Sequence, residues 1–171
     1  MTAPADLVLG IDPGTARTGF GLVQHTSSGG VQLVAYGVIE TEAGQPMGDR
    51  LLRLETELLA LLDQHHPTSA GVEKLYFDRN VSTAMTVGQA RGIVLLTLAR
   101  HSIPVQEYTP QEVKQAVAGY GGADKKQMQA MVRLLLEMDH EPRPDDAADA
   151  LAVAICHAHA SRTHQRLQEA G

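Results

Sequence analysis

The chain has 171 residues, which is enough for one compact domain with a sizeable core and too few for two ordinary domains. Hydrophobic residues make up 43% of it, and no low-complexity tract or internal repeat is visible, which excludes a disordered chain. We therefore expect a single domain over residues 1–171, with about 161–171 as a flexible tail.

The chain shows no signal for a membrane or an oxidising compartment. No run reaches the roughly 18 uninterrupted apolar residues of a membrane span, and the N-terminus lacks the basic start of a signal peptide. A single cysteine, Cys156, cannot form an internal disulfide. We expect a cytoplasmic protein with no membrane contact and a buried, inert Cys156.

The net charge of −6 hides an uneven distribution of charge along the chain. Residues 1–73 hold three basic and nine acidic side chains, and residues 134–171 hold three and seven. Residues 74–133 hold eight basic and four acidic ones, a surplus of +4. This asymmetry is compatible with a local nucleic-acid face, although a solvated helical surface with extra lysines explains it as well.

In the first half of the chain, alternating apolar residues and glycine-bearing turns predict three successive antiparallel strands. Apolar residues at helical spacing then predict a helix that stops before Pro67, followed by a short strand and a second helix. The predicted strands are 7–12, 18–24, 31–39 and 69–73, and the helices are 47–65 and 81–101.

In the second half, two capping boxes predict where helices begin. Thr109 with Glu112 forms one box, after a strand over 104–108, and Asp124 with Gln127 forms the other. The elements predicted after that strand are a helix from residue 110, a helix from about 125 to 138, and a last helix over 145–161. The whole order predicts an α/β fold with a five-stranded mixed sheet, three antiparallel strands plus two parallel ones, flanked by helices.

Two of the predicted strands end in a carboxylate, Asp12 in LVLGID and Glu73 in SAGVEK. If these strands are parallel neighbours, both acids emerge at the carboxyl edge of the sheet, where α/β proteins bind ligands. A turn-forming aspartate before Pro13 is an alternative explanation for Asp12. The glycines that follow Asp12 would let a backbone or a phosphate approach closely.

The last helix begins PDDAADALA, and Asp149 shares a helix face with either Asp145 or Asp146. The spacing does not choose between these two, and first-turn aspartates can simply complement the helix dipole. Four carboxylates at one edge, however, would repel by about 4 kcal/mol per close pair at an effective dielectric of 20. We therefore expect two hard divalent ions, Mg²⁺ or Mn²⁺, about 4 Å apart, as in phosphodiester hydrolysis.

Five strings carry a specific resemblance: GIDPGTARTGFG, GVEKLYF, GQARG, VKQAVAGYGGADKKQM and PDDAADALAVAICHA. From about residue 7 to 159 the chain resembles the RuvC family of bacterial Holliday-junction resolvases, which have a ribonuclease H-like fold. The resemblance implies that Asp12, Glu73, Asp146 and Asp149 are the metal-binding catalytic acids, and it thereby favours Asp146 over Asp145. The third acid is not always aspartate in that family.

The resemblance also implies an activity and partners. Resolvases of this family are homodimers that cut two opposed strands of a four-way junction symmetrically and leave 5′-phosphate and 3′-hydroxyl ends. They favour short T-rich sites and work beside the RuvA and RuvB branch-migration proteins. We therefore expect a crossover junction endodeoxyribonuclease of DNA recombination and repair.

Two adjacent rings, Tyr76 and Phe77, follow the Glu73 strand and could stack on an unpaired base at about 1–3 kcal/mol per base. A place in the core is an alternative for Phe77. Lys114 and Lys125 match basic positions of the family that contact the DNA backbone, although each could be a solvated surface residue. The predicted basic DNA contacts are Arg79, Lys114, Lys125 and Lys126.

The helix over 81–101 is more apolar than one core-facing stripe requires, so it predicts either a dimer interface or a plain buried helix. Three rival functions stay open at this point. The chain could be an ATP-binding protein of the actin, Hsp70 and sugar-kinase superfamily, a junction-binding module without chemistry, or another ribonuclease H-like nuclease. The first rival normally needs two related domains, and this chain has room for one.

Overall fold

The computed structural model describes residues 6–74 and 81–169, with the side chains from residue 164 onward excepted. Within these residues five strands form one sheet, and five helices flank it. The strands are β1 (Leu7–Asp12), β2 (Arg17–His25), β3 (Val31–Glu40), β4 (Ser69–Glu73) and β5 (Val105–Tyr108). The helices are α1 (Met47–His65), α2 (Val81–Arg100), α3 (Pro110–Ala118), α4 (Lys125–Leu135) and α5 (Asp145–Glu169).

The sheet has the order β3-β2-β1-β4-β5, with β1 at its centre. β1 pairs antiparallel with β2, which pairs antiparallel with β3, whereas β1–β4 and β4–β5 are parallel pairs. The predicted five-stranded mixed sheet is therefore confirmed. Because β1 and β4 run the same way, their carboxyl ends lie at the same edge of the sheet.

Two of the predicted helix ends are wrong. α4 ends at Leu135 rather than near residue 138, because Glu137 adopts a left-handed φ of 51° and the Met138 N–H turns back to the Arg133 carbonyl. α5 continues to Glu169 instead of ending at residue 161. No glycine or proline interrupts that segment before the final residue, so nothing in it breaks the helix. Both predicted capping boxes, at Thr109 and Asp124, are present.

Strand alternation divides the apolar side chains between two cores, one on each face of the sheet. Leu9 and Ile11 pack with α1 and α2 on one face. Val8 packs with α3, α4 and α5 on the other. Asp12 has the same parity as Val8 and Gly10, so it lies on the α5 face of the sheet.

The main chain of α5 lies directly against β1 and β2, because glycines leave room for it. A Cβ at Gly10 would overlap the Ala150 carbonyl oxygen and the Ala154 nitrogen, and a Cβ at Gly19 would overlap the Asp146 carbonyl oxygen. The facing helix is rich in buried alanines, including Ala147 at 0% exposure. The predicted close approach after Asp12 is thus made by the helix backbone at Gly19.

Helix α2 buries one face and leaves the other open. Ala90, Val94 and Leu98 are fully buried, whereas Met85 is 66% and Leu96 46% exposed. By length and composition α2 could cross a membrane, and only 22% of its most apolar stretch is buried within the described chain. The alternative of a plain buried helix therefore does not fit.

Gly10→Ala tests the close packing of α5. The added methyl group meets helix backbone rather than a flexible side chain, so we expect a loss of about 1–3 kcal/mol in the free energy of unfolding. Urea denaturation followed by circular dichroism measures it. Gly48→Ala in α1 is the matched control, since no atom lies within 4 Å of its Cβ, and it should be neutral or slightly stabilising. Equal stability of the two variants would contradict this packing.

Candidate active site

Strand parity and parallel pairing bring Asp12 and Glu73 together. Asp12 is the last residue of β1 and Glu73 the last of β4, and the two strands are in register up to Ile11 and Val72. Glu73 has the same parity as Gly71, which contacts His157 of α5, so its side chain also lies on the α5 face. The two carboxyl groups lie close enough for each to shift the pKa of the other.

The first turns of α5 bring Asp146 and Asp149 to the same edge. Both act electrostatically on the Asp12 carboxyl. Asp145 instead accepts hydrogen bonds from Lys125 Nζ at 2.7 Å and Gln129 Nε2 at 2.9 Å, although its charge also raises the pKa of Asp149. The geometry therefore separates two aspartates that the spacing left equivalent.

Burial and like charges raise the pKa of the carboxyl groups of Asp12, Glu73 and Asp149. Desolvation raises the pKa of Asp12 to about 8, with further contributions from Glu73, Asp149 and Asp146. Desolvation and Asp149 also raise the pKa of Glu73, and desolvation raises that of Asp149. A pKa near 8 means that, without a cation, the Asp12 carboxyl holds a proton at neutral pH.

The donor set suits a hard divalent cation, because it consists of carboxylate oxygens whose mutual repulsion a cation would relieve. Across residues 6–74 and 81–169, however, no three His, Cys, Asp or Glu side chains already stand in a metal-binding group. Ligand carboxylates must also be deprotonated before a metal binds, so cation binding here would release the Asp12 proton. The four acids thus fit a cation chemically without forming a ready-made cage.

Two of the predicted DNA-contact lysines lie beside the acids. Lys114 and Lys125 line a cavity of about 220 Å³ together with Glu73 and Asp149. Lys114 favours the charged form of Glu73, and Lys125 does the same for Asp149, which opposes the rise in both pKa values. Lys126 is exposed at the start of α4.

The remaining predicted DNA contacts, Tyr76, Phe77 and Arg79, lie outside the described residues. They belong to the segment that joins β4 to α2.

Arg91 contacts the site although the sequence analysis assigned it no role. Its Nη1 donates to the Glu73 carbonyl oxygen at 2.5 Å, and its Nη2 pairs with the Glu107 carboxylate. The available signal was a lone charge at the centre of an otherwise apolar helix.

His157 and Cys156 are core residues. The Nδ1 of His157 bonds to the Tyr108 hydroxyl at 2.8 Å and its Nε2 to the Ser69 hydroxyl at 3.0 Å. Desolvation lowers the pKa of His157 to about 4 and raises that of Cys156 to about 12. Both side chains are therefore neutral at pH 7, and the predicted burial of Cys156 is confirmed.

Carboxylates on the first strand, the fourth strand and the last helix of this mixed sheet define a nuclease of the ribonuclease H-like class. The family profile described as "Crossover junction endodeoxyribonuclease RuvC" matches residues 8–157. The chain therefore belongs to the RuvC family of crossover junction endodeoxyribonucleases. The rival assignment to an ATP-binding superfamily is excluded by this membership.

Individual relatives support the same assignment over nearly the whole chain. The RuvC protein of Roseiflexus sp. (strain RS-1) is 58% identical over 165 residues, 96% of this chain and 98% of the relative. The Thermus thermophilus RuvC structure superposes with a TM-score of 0.84 at 36% identity, covering 92% of this chain and 96% of that one. The structure of that protein in complex with Holliday junction substrate gives the same TM-score at 34% identity, with the same coverage of both chains.

Asp12→Asn should stabilise the cation-free protein. Because the folded pKa of Asp12 is raised from 3.8 to about 8, the folded chain holds a proton between these values that the unfolded chain has lost. Stability of the wild type therefore falls as pH rises through this window, whereas asparagine carries no such penalty. In EDTA at pH 8 we expect a Tm at least about 2–4 °C above wild type, equivalent to about 1 kcal/mol, and a smaller gain at pH 5.

Differential scanning fluorimetry measures this difference. Asp145→Asn is the control, because Lys125 holds the pKa of Asp145 below its usual value and its removal should not stabilise the chain. Added Mg²⁺ should raise the wild-type Tm and narrow the gap. An Asp12→Asn variant that melts at or below wild type at pH 8 in EDTA would contradict the proposed repulsion.

Proposed function

We propose that this chain resolves four-way Holliday junctions as a homodimer that makes paired symmetric nicks. Each nick hydrolyses one phosphodiester bond and leaves a 5′-phosphate and a 3′-hydroxyl end. The observation that carries the proposal is the convergence of Asp12 and Glu73 with the first turns of α5, in a member of a junction endonuclease family.

Asp12, Glu73, Asp146 and Asp149 are the proposed catalytic residues and would together hold two divalent ions, Mg²⁺ or Mn²⁺. When bound, such a pair activates a water for in-line attack and stabilises the departing oxygen. Asp12 must first release its proton, because only the carboxylate form binds the cation. The acids at the ends of β1 and β4 and at the start of α5 all lie on one face of the sheet. The scissile phosphate would therefore approach them from the edge where β1 and β4 end.

Lys114 and Lys125 are proposed to bind phosphates next to the scissile bond. They line the same cavity as Glu73 and Asp149, so a strand lying on them would bring a phosphate to the carboxylates. Lys125 is 55% exposed and held by Asp145, and it can exchange that partner for a phosphate oxygen. Lys126 and Arg79 would add backbone contacts, and Tyr76 and Phe77 would stack on bases unpaired at the crossover.

The open face of α2 is the proposed homodimer interface. Met85 and Leu96 are exposed on it, and among the described residues no atom beyond the adjacent residues and the helix's own backbone lies within 4 Å of a Cβ at Gly88 or Gly92 between them. Small residues between larger apolar ones let a second helix approach closely. A twofold pair would present two active sites to opposed strands, as symmetric nicking requires.

Analytical ultracentrifugation at micromolar concentration tests this interface, and we expect a dimer. Sedimentation as a monomer would contradict the proposed interface.

The remaining parts of the proposal follow from family membership. The chain would act as a single domain in the cytoplasm, prefer short T-rich sites, and work with the RuvA and RuvB branch-migration proteins. Phosphate contacts supply most of the affinity for DNA, so an acidic chain that relies on a few lysines should bind more weakly as salt rises.

Cleavage of a synthetic mobile four-way junction in Mg²⁺ or Mn²⁺ tests the function, with linear duplex of the same sequence as the second substrate. We expect wild type to cut only the junction. Asp12→Asn should lose about 10³-fold or more in cleavage rate, since it removes several kcal/mol of charge stabilisation, and should still bind the junction. Asp145→Asn is again the control and should keep most of the activity.

Three outcomes would contradict the proposal. Equal cutting of junction and duplex would indicate a nuclease of different substrate preference. Junction binding with no cutting by wild type would indicate a module without chemistry. Full activity of Asp12→Asn would remove Asp12 from the catalytic group.

A further inference from the structure

The carbonyl group of Glu73 lies where the β1–β4 ladder stops. The N–H groups of Ala70 and Lys74 donate to carbonyls on the β5 side, so the intervening odd-numbered residues of β4 direct their main-chain groups to β1. Continuing the β1–β4 register, the donor that would reach the Glu73 carbonyl is the nitrogen of residue 13. That residue is Pro13, which has no N–H to give.

Arg91 supplies the missing donor. Its Nη1 donates to the Glu73 carbonyl oxygen at 2.5 Å, and its side chain is only 14% exposed. The same guanidinium pairs through Nη2 with Glu107 on β5. Both Nη groups are therefore engaged, and the planar fork of the guanidinium holds a fixed orientation against the end of β4.

The position of this contact matters because Glu73 is the point where β4 ends and its carboxyl meets that of Asp12. A carbonyl without a donor at a strand end lets the last peptide plane rotate, and the side chain moves with it. Groups that orient metal ligands without touching the metal typically change metal affinity or activity by 10–100-fold when they are removed.

We propose that Arg91 is a positioning residue for Glu73, fixing the end of β4 so that the carboxylate is held for divalent-cation binding. The inference rests on the proposed metal site and assigns a role to the GQARG string within it. Pro13 and Arg91 act as a pair in this account: the proline ends the ladder, and the arginine replaces the bond that the proline cannot make.

Manganese binding to the junction-free protein, measured by isothermal titration calorimetry, tests the proposal without relying on cleavage. Arg91→Met keeps the apolar stem and removes every donor. It should weaken Mn²⁺ affinity about 10–100-fold. Arg100→Met in the same helix is the matched control, because Arg100 is 63% exposed and pairs only with Glu55 among the described residues, and it should bind Mn²⁺ as wild type does.

Glu107→Gln distinguishes a role of Arg91 in positioning Glu73 from a role in which Arg91 only attaches α2 to the sheet. It removes the ion pair and leaves the bond from Arg91 to the Glu73 carbonyl, so Mn²⁺ affinity should stay within about threefold of wild type. A purely structural Arg91 would instead lower Tm in both Arg91→Met and Glu107→Gln and leave the Mn²⁺ affinity of both unchanged. That result would overturn the proposal.

Arg91→Lys keeps the test valid if Arg91→Met does not fold. Lysine retains the charge but lacks the fork, so it should bind Mn²⁺ more weakly than wild type. Unchanged affinity in Arg91→Lys would overturn the role of the guanidinium. A wild-type chain that binds no Mn²⁺ would overturn the metal site and this inference together, whereas normal binding by wild type and Arg91→Met alike would overturn the inference alone.

Discussion

The amino-terminal half of α5 approaches β1 and β2 to backbone distance, because Gly10 and Gly19 present no side chain to it. This contact fixes the depth at which the first turns of the helix meet the sheet. Asp146 and Asp149 therefore act on Asp12 at the end of the central strand. A bulkier residue at either glycine would lift the helix and its aspartates away from Glu73. The nuclease site is in this sense a consequence of how closely one helix can lie on one sheet.

The same closeness has an electrostatic cost. Burial raises the pKa of Asp12 to about 8, so the folded chain holds a proton where the reaction requires a cation. Basic side chains around the acids reduce this electrostatic cost or hold the acids in place. Lys114 and Lys125 favour the charged forms of Glu73 and Asp149, and Arg91 secures the main chain of Glu73. Helix α2 thus combines two proposed roles, because Arg91 contacts the end of β4 and a separate face of the helix exposes Met85 and Leu96.

The sequence predicted the fold to within a few residues at most element ends, because strand alternation, prolines and capping boxes are local signals. It missed the end of α4, which depends on a left-handed Glu137, and it stopped α5 too early for lack of any breaker to mark the true end. The acids could be predicted as strand ends and a helix start, but the spacing left Asp145 and Asp146 equivalent. Their separation depends on Lys125 and Gln129, which only the tertiary arrangement brings to Asp145. The contact between Arg91 and Glu73 depends on ladder geometry across two strands, which no local pattern encodes.

The central claim is that carboxylates distant in sequence share divalent cations at one edge of this sheet. A crystal structure of the wild type soaked in Mn²⁺ above pH 8, with anomalous scattering recorded at the manganese edge, tests it most directly. We expect two anomalous peaks about 4 Å apart, from manganese ions bound by oxygens of Asp12, Glu73 and the α5 aspartates. Manganese that is absent from this edge, or bound without Asp12 and Glu73, would contradict it.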